Sequence, residues 1–149
     1  MKKILALLFL LPLIIVSCGE DEDDFVQQNY LVGKWEISQI GSKSSAGAIL
    51  YKDYENAANC DKDNYIFNND FTFENNDYTN TGSCTNDKIA GSYERNSTFV
   101  TLNYTIEIDN ESKQVSNSYT IISLTFTEAI IAYTDKTTKQ IVYLKLTKV

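Results

Sequence analysis

The chain has 149 residues, no histidine, and 13 basic against 20 acidic side chains, for a net charge of −7. Without histidine it lacks the commonest general base and metal ligand. An acidic balance with no cationic cluster also leaves no counterion-release footprint for nucleic acid or an anionic membrane surface.

In chain order, Lys2 and Lys3 precede an apolar run from Ile4 to Val16, which ends at Ser17 and Cys18. At 13 residues, interrupted by Pro12, the run is shorter than the roughly 20 that a spanning helix needs. A basic start, an apolar stretch and a small residue before a thiol form a secretory leader with a cysteine at its cleavage site. Ile15-Val16-Ser17-Cys18 resembles the bacterial lipobox. That resemblance implies a leader over residues 1–17, acylation of Cys18 and attachment to the outer membrane. Each buried acyl CH₂ contributes about 0.8 kcal/mol, so several chains hold where one holds marginally.

Loss of Lys2 and Lys3 with the leader takes the net charge from −7 to −9. Glu20, Asp21, Glu22, Asp23 and Asp24 follow Cys18 and Gly19 as one self-repelling block, so residues 18–30 read as a lipidated, extended tether. The block resembles the surface-export signal of some Gram-negative lipoproteins, which implies a domain facing the cell exterior. Of three cysteines, acylation of Cys18 leaves Cys60 and Cys84 as an even pair in an exported domain, and a disulfide is the expectation.

From Leu31 the apolar period is two, which means strands. Trp35 and Ile37 alternate with Lys34, Glu36 and Ser38, and Tyr65, Phe67, Phe71 and Phe73 flank an Asn68-Asn69-Asp70 hairpin signal. Residues 41–63 form one long segment without strand character, in which Leu50, Tyr51, Tyr54 and Ala57 suit the apolar stripe of a short helix. Further strands are predicted over 88–95, 99–109, 115–127, 129–134 and 139–148. In the 99–109 run, Val100, Leu102, Tyr104, Ile106 and Ile108 supply one buried face. Eight strands in a meander fit an all-β, antiparallel up-and-down barrel with a long loop or short helix after its first strand, and a two-sheet sandwich is the alternative.

Gly33-Lys34-Trp35 resembles the G-x-W signature of lipocalins. With Cys60 before Tyr65-Ile66-Phe67, then Cys84, Gly91-Ser92-Tyr93 and a closing Leu144-Lys145-Leu146-Thr147-Lys148, residues 31–149 resemble the lipocalin-like domains of bacterial surface lipoproteins. The resemblance implies an eight-stranded barrel closed by Gly33 and Trp35, which binds a small apolar or amphipathic ligand and has no catalytic role. The last strand departs from the family in offering no arginine to stack on Trp35, with Lys145 as the nearby cation.

Ten tyrosines and seven phenylalanines supply large rings, and Tyr65, Phe67, Phe73, Tyr93 and Tyr104 occupy inward positions as candidate ligand-lining residues. Asp61, Asp63 and Asn64 lack the glycine and distal glutamate of a calcium loop and read as a solvated turn. Nothing in the sequence places Glu94 and Glu107 together as a hydrolytic dyad. No metal or cofactor is expected. The functional expectation is a monomeric, membrane-anchored binding module. The alternative is a solid barrel acting on a surface protein through its outer face and loops.

Overall fold

The computed structural model describes residues 29–149, so the leader, Cys18 and the acidic block lie outside the described residues. Nine strands follow in order: β1 Gly33–Lys43, β2 Ile49–Asp53, β3 Asn64–Phe67, β4 Thr72–Asn80, β5 Cys84–Arg95, β6 Phe99–Ile108, β7 Glu111–Leu124, β8 Glu128–Thr134 and β9 Ile141–Lys148. They form one antiparallel sheet, and β1 pairs with β9 from Trp35↔Lys148 to Ser42↔Val142, closing the ring. The barrel therefore has eight strands, β1 and β3 to β9, and the two-sheet alternative is set aside. No helix occurs among the described residues.

The segment 41–63 contains no helix: residues 54–63 form the expected loop, but residues 41–43 and 49–53 are strand. The first half of β1 pairs with β3, and its second half, which runs past the start of β3 while still paired with β9, pairs on its other edge with β2 from Gln39↔Asp53 to Lys43↔Ile49. A tight turn makes this hairpin, with the Ser44 amide donating to the Ala48 carbonyl at 2.8 Å. The free edge of β1 had backbone groups to satisfy, and the hairpin satisfies them, whereas an isolated two-turn helix is marginal in water. Gly41 makes room for the Tyr51 ring, since a Cβ there would lie 2.8 Å from Tyr51 Cδ1. Two strand limits also differ from expectation. β5 starts at Cys84 and β7 at Glu111, because the β4–β5 and β6–β7 hairpins continue beyond the barrel as two-stranded ribbons.

One end of the barrel is plugged. Leu31, Trp35, Phe67, Phe73, Tyr93, Val100, Ala129 and Leu146 are buried there and in the layer above. Phe67 meets Tyr93 edge-on at 5.1 Å, within the range where aromatic pairs add stability beyond their area. The Trp35 indole N–H donates to the Leu31 carbonyl at 2.6 Å, so the one polar atom of the plug's largest ring is satisfied. The chain arrives at this closed end: the Asn29 side-chain amide donates to the Tyr93 hydroxyl at 3.1 Å, and Arg95 donates to the Asn29 side-chain oxygen, Oδ1.

The glycine of the opening signature has a specific task. Gly33 sits at φ +131°, and a Cβ there would lie 2.4 Å from Lys148 Cε. The Lys148 chain passes through that space to place its ammonium 5.1 Å from the Trp35 ring centre and to donate to the Tyr30 carbonyl at 3.1 Å. The cation over the tryptophan is thus Lys148. Lys145, the nearby cation in the sequence, pairs with Glu128 at 3.3 Å instead.

Candidate functional site

The other end of the barrel is open. Above the plug the inward positions become Ile40, Ile89, Tyr104, Tyr119, Tyr133 and Val142, all partly buried and packed on the core. A cavity of about 240 Å³ occupies the mouth, lined by Ile37, Ile40, Tyr54, Asp63, Tyr65, Asp77, Tyr133 and Leu144 among others. A second cavity, of about 410 Å³, opens through the wall beside it, between Ser116–Tyr119 of β7 and Tyr133–Thr137 of β8 and its turn.

The wall opening follows from the register. β7 pairs with β8 only from Thr120↔Ala132 toward the closed end, while β6 holds β7 all the way to Glu111 and β9 holds β8 to Thr134. Beyond Thr120 the two strands part. Lys136 bridges the gap by donating to the Asn117 side-chain oxygen at 2.8 Å, and Asn117 in turn donates to the Tyr104 hydroxyl at 2.8 Å.

Tyr133 belongs to both cavities. Its ring meets that of Tyr119 at 5.5 Å, and Tyr119 meets Tyr65 at 6.4 Å, both edge-on, so three tyrosines form the partition between mouth and side slot. Burial pushes all three hydroxyls above the ordinary tyrosine range, with neighbouring phenols acting in the same direction on Tyr65 and Asp135 on Tyr133. At neutral pH they are uncharged groups that both donate and accept.

Asp63 anchors the mouth. The sequence places it in a solvated turn, but it is buried. Its carboxylate accepts from the Tyr54 hydroxyl and from the Tyr78 backbone amide, each at 2.7 Å, and its own carbonyl accepts from the Ile37 amide at 3.0 Å. One residue thereby ties β1, β4 and the loop before β3. Burial first, then its bond to Asp63, raises Tyr54 above the ordinary tyrosine range. Asp77 is also raised, by burial and then by the charges of Asp63 and Asp87. Cys60 and Cys84 are joined, pinning the loop before β3 to the tip of the β4–β5 ribbon.

Among the sequence-selected rings, Tyr65 lines the mouth cavity, while Phe67, Phe73 and Tyr93 are interlocked in the plug and the layer above it. Tyr104 is half-buried on the slot side, edge-on to Phe73 at 6.2 Å. Gly91 stands between them in the register and leaves that space open, since a Cβ there would lie 3.0 Å from Tyr104 Cβ and 2.1 Å from the Asn103 carbonyl oxygen. Sequence reasoning missed Tyr119, Tyr133, Tyr54 and Asp63. The signal that would have found Tyr119 and Tyr133 is the alternation in β7 and β8, where each shares a face with buried or half-buried aliphatic neighbours.

No protein-family model matches the chain, and a search of curated proteins gives no sequence match. Among solved structures, a lipocalin-like protein from Bacteroides uniformis superposes with a TM-score of 0.53 at 13% identity, over 80% of this chain and 99% of that one. A bovine odorant binding protein, in a deswapped triple-mutant form, matches at TM-score 0.42 and 19% identity, over 81% of this chain and 75% of that one. The first likeness, together with the β1–β9 closure, gives the fold as a lipocalin-like, eight-stranded antiparallel barrel.

Proposed function

We propose that the protein is a surface lipoprotein, anchored through Cys18, whose barrel binds a small amphipathic molecule at its open mouth and does not transform it. The observation that supports this most directly is the pair of adjoining cavities around Tyr133, of about 240 and 410 Å³, above a filled floor. Apolar walls from Ile37, Ile40 and Leu144 suit a hydrocarbon or ring, and the neutral phenols of Tyr65, Tyr119 and Tyr133 suit a polar end that hydrogen-bonds. Because the plug is solid, the ligand lies in the upper half of the barrel and leaves part of itself in solvent. Anchor and export rest on Ser17-Cys18 and on the acidic run from Glu20 to Asp24.

The binding test is saturable fluorescence enhancement of N-phenyl-1-naphthylamine by the native protein. Micromolar affinity is expected, falling about tenfold in Tyr133→Ala, which corresponds to about 1.4 kcal/mol. A native protein that gives no saturable signal favours the second reading, a barrel that docks a protein through its outer face and loops, which the interlocked plug supports. For the anchor, Cys18→Ser should abolish lipid labelling, and unchanged detergent partitioning of that variant would refute acylation. Replacing residues 21–24 by asparagine should keep the lipid but hide the domain from added protease. Unchanged accessibility would reduce the acidic run to a spacer.

A further inference from the structure

The exposed large aromatic residues are gathered at one end of the barrel. Leu50, Ile108 and Ile141 lie toward the open end, and Ile122 lies toward the closed end, two residues past the partner of Phe99. The exposed large aromatics among the described residues, Tyr30, Phe71, Phe99 and Phe126, all lie at the closed end, with the apolar Val149 beside them. Single exposed apolar side chains are ordinary on a soluble protein. Here each of the three hairpin turns at the closed end, β3–β4, β5–β6 and β7–β8, carries one phenylalanine, at 55%, 44% and 63% exposure for Phe71, Phe99 and Phe126. The turns at the open end carry no phenylalanine.

Contacts within the fold account for these rings only in part, since each leaves about half of its surface in solvent. Phe71 has φ +63°, a left-handed conformation that glycine or asparagine adopts far more readily than a bulky side chain. The turn therefore keeps a strained residue whose ring is half in solvent, although it also leans on Tyr93 at 5.6 Å. Phe126 touches the Lys148 ammonium, 5.2 Å from its ring centre, and is otherwise the most exposed aromatic of the set. Charge at this end is balanced, with Lys34, Arg95 and Lys148 against Asp70, Glu94 and Glu128. At the open end acids predominate, among them Asp53, Asp61, Asp77, Asp87, Asp109 and Asp135.

We infer that the closed end is a bilayer-docking face, on which Phe71, Phe99 and Phe126 enter the headgroup region while the mouth points away from the membrane. Rings at the boundary of headgroup and acyl chain, on a surface without net charge, suit a zwitterionic lipid surface. The place where the chain arrives supports the same occupant. Asn29 sits at the closed end, 11 residues after Cys18, a stretch that reaches at most roughly 40 Å. That second argument rests on the Cys18 anchor proposed above, whereas the distribution of the rings does not.

The experiment uses the mature chain in phosphatidylcholine vesicles, with nitroxide labels at Ser97→Cys in a closed-end turn and Asn110→Cys in an open-end turn. The label at 97 should be relaxed preferentially by oxygen, as in lipid, and the label at 110 by a chelated nickel ion, as in water. Phe71→Gly, Phe99→Ser and Phe126→Ser together should return the label at 97 to water while the acylated protein stays on the vesicles. Equal aqueous exposure of both labels in the acylated parent overturns the docking face. If mass spectrometry finds no acyl group on Cys18, the anchor fails and a second arm still decides the docking. The Cys18→Ser chain should co-sediment weakly with the same vesicles, independently of salt, and the triple variant should lower that partition about tenfold. Sedimentation that ignores the three phenylalanines overturns the inference.

Discussion

Replacing Gly33 by alanine tests why the chain opens its first strand with glycine. Two penalties are expected. A side chain at φ +131° is strained by roughly 1–3 kcal/mol. The new Cβ also expels the Lys148 chain, which lies 2.4 Å from its position. Loss of Lys148 forfeits a hydrogen bond to the Tyr30 carbonyl, about 1 kcal/mol, and a cation–π contact, about 0.5–1 kcal/mol at a partly exposed site. Gly33→Ala should therefore cost about 2.5–5 kcal/mol, and Lys148→Ala alone about 1.5–2 kcal/mol. At about 4 °C per kcal/mol for a domain of this size, the first variant should melt about 10–20 °C lower. The assay is a double-mutant cycle by urea denaturation. In the Lys148→Ala background Gly33→Ala should cost only the backbone part, so the pair should be less than additive by about 1.5–2 kcal/mol. Full additivity would mean that Lys148 does not occupy the space the glycine leaves. A neutral Gly33→Ala would refute the whole account of the signature.

Three further outcomes are expected. Replacing Cys60 and Cys84 by serine opens a loop of 24 residues' separation and should cost about 3.5 kcal/mol on the chain-entropy view. Hydrogen exchange should rise in residues 54–63 and the tip of the β4–β5 ribbon, while the plug stays protected. Tyr54→Phe removes one of the carboxylate partners of buried Asp63 and should cost about 1.5–3 kcal/mol by chemical denaturation, whereas no change would mean that water replaces the phenol. Asp77 has its carboxyl raised above the usual range by burial and by Asp63 and Asp87, so the folded state favours its protonated form and loses stability as pH rises through that raised value. Asp77→Asn should accordingly stabilise at pH 7, and the gain should vanish below about pH 4, where the unfolded carboxyl is protonated as well. A gain that persists at pH 3 would assign the effect to packing.

Much of the barrel is legible because its strands alternate. Val100 and Leu102, or Trp35 and Ile37, can be buried on one face only if the strand pairs in one register, and a slip by one residue would expose them all. The β2 hairpin was not legible, because Ile49-Leu50-Tyr51 is too short for either period to declare itself, and the free edge that fixes its conformation belongs to β1. The mouth was partly legible. Tyr65 could be assigned to it from alternation, but Asp63 could not, since a carboxylate between Lys62 and Asn64 looks solvated until Tyr54 and the Tyr78 amide are brought against it. The place of Lys148 over Trp35 is not legible in the sequence, because only the positive φ of Gly33 opens its route. The wall opening depends on where the pairing of β7 and β8 stops, and no local pattern in either strand announces that.

The ring is closed by β1 and β9, whose paired residues Trp35 and Lys148 stand 113 positions apart. During folding, the hairpins from β3 to β9 can form from near neighbours, within microseconds for the pairing itself. Closure instead has to bring the two ends of the domain together, against the entropy of the longest loop in the molecule. Contacts of such separation place the fold among the slower topologies, in milliseconds to seconds. Until β9 has emerged, β1 lacks the partner along one entire edge, and Trp35 lacks the Leu146 layer of the plug. The domain therefore cannot complete its core before its last strand is available, and the residue that plugs the barrel waits for the strand most distant from it in sequence.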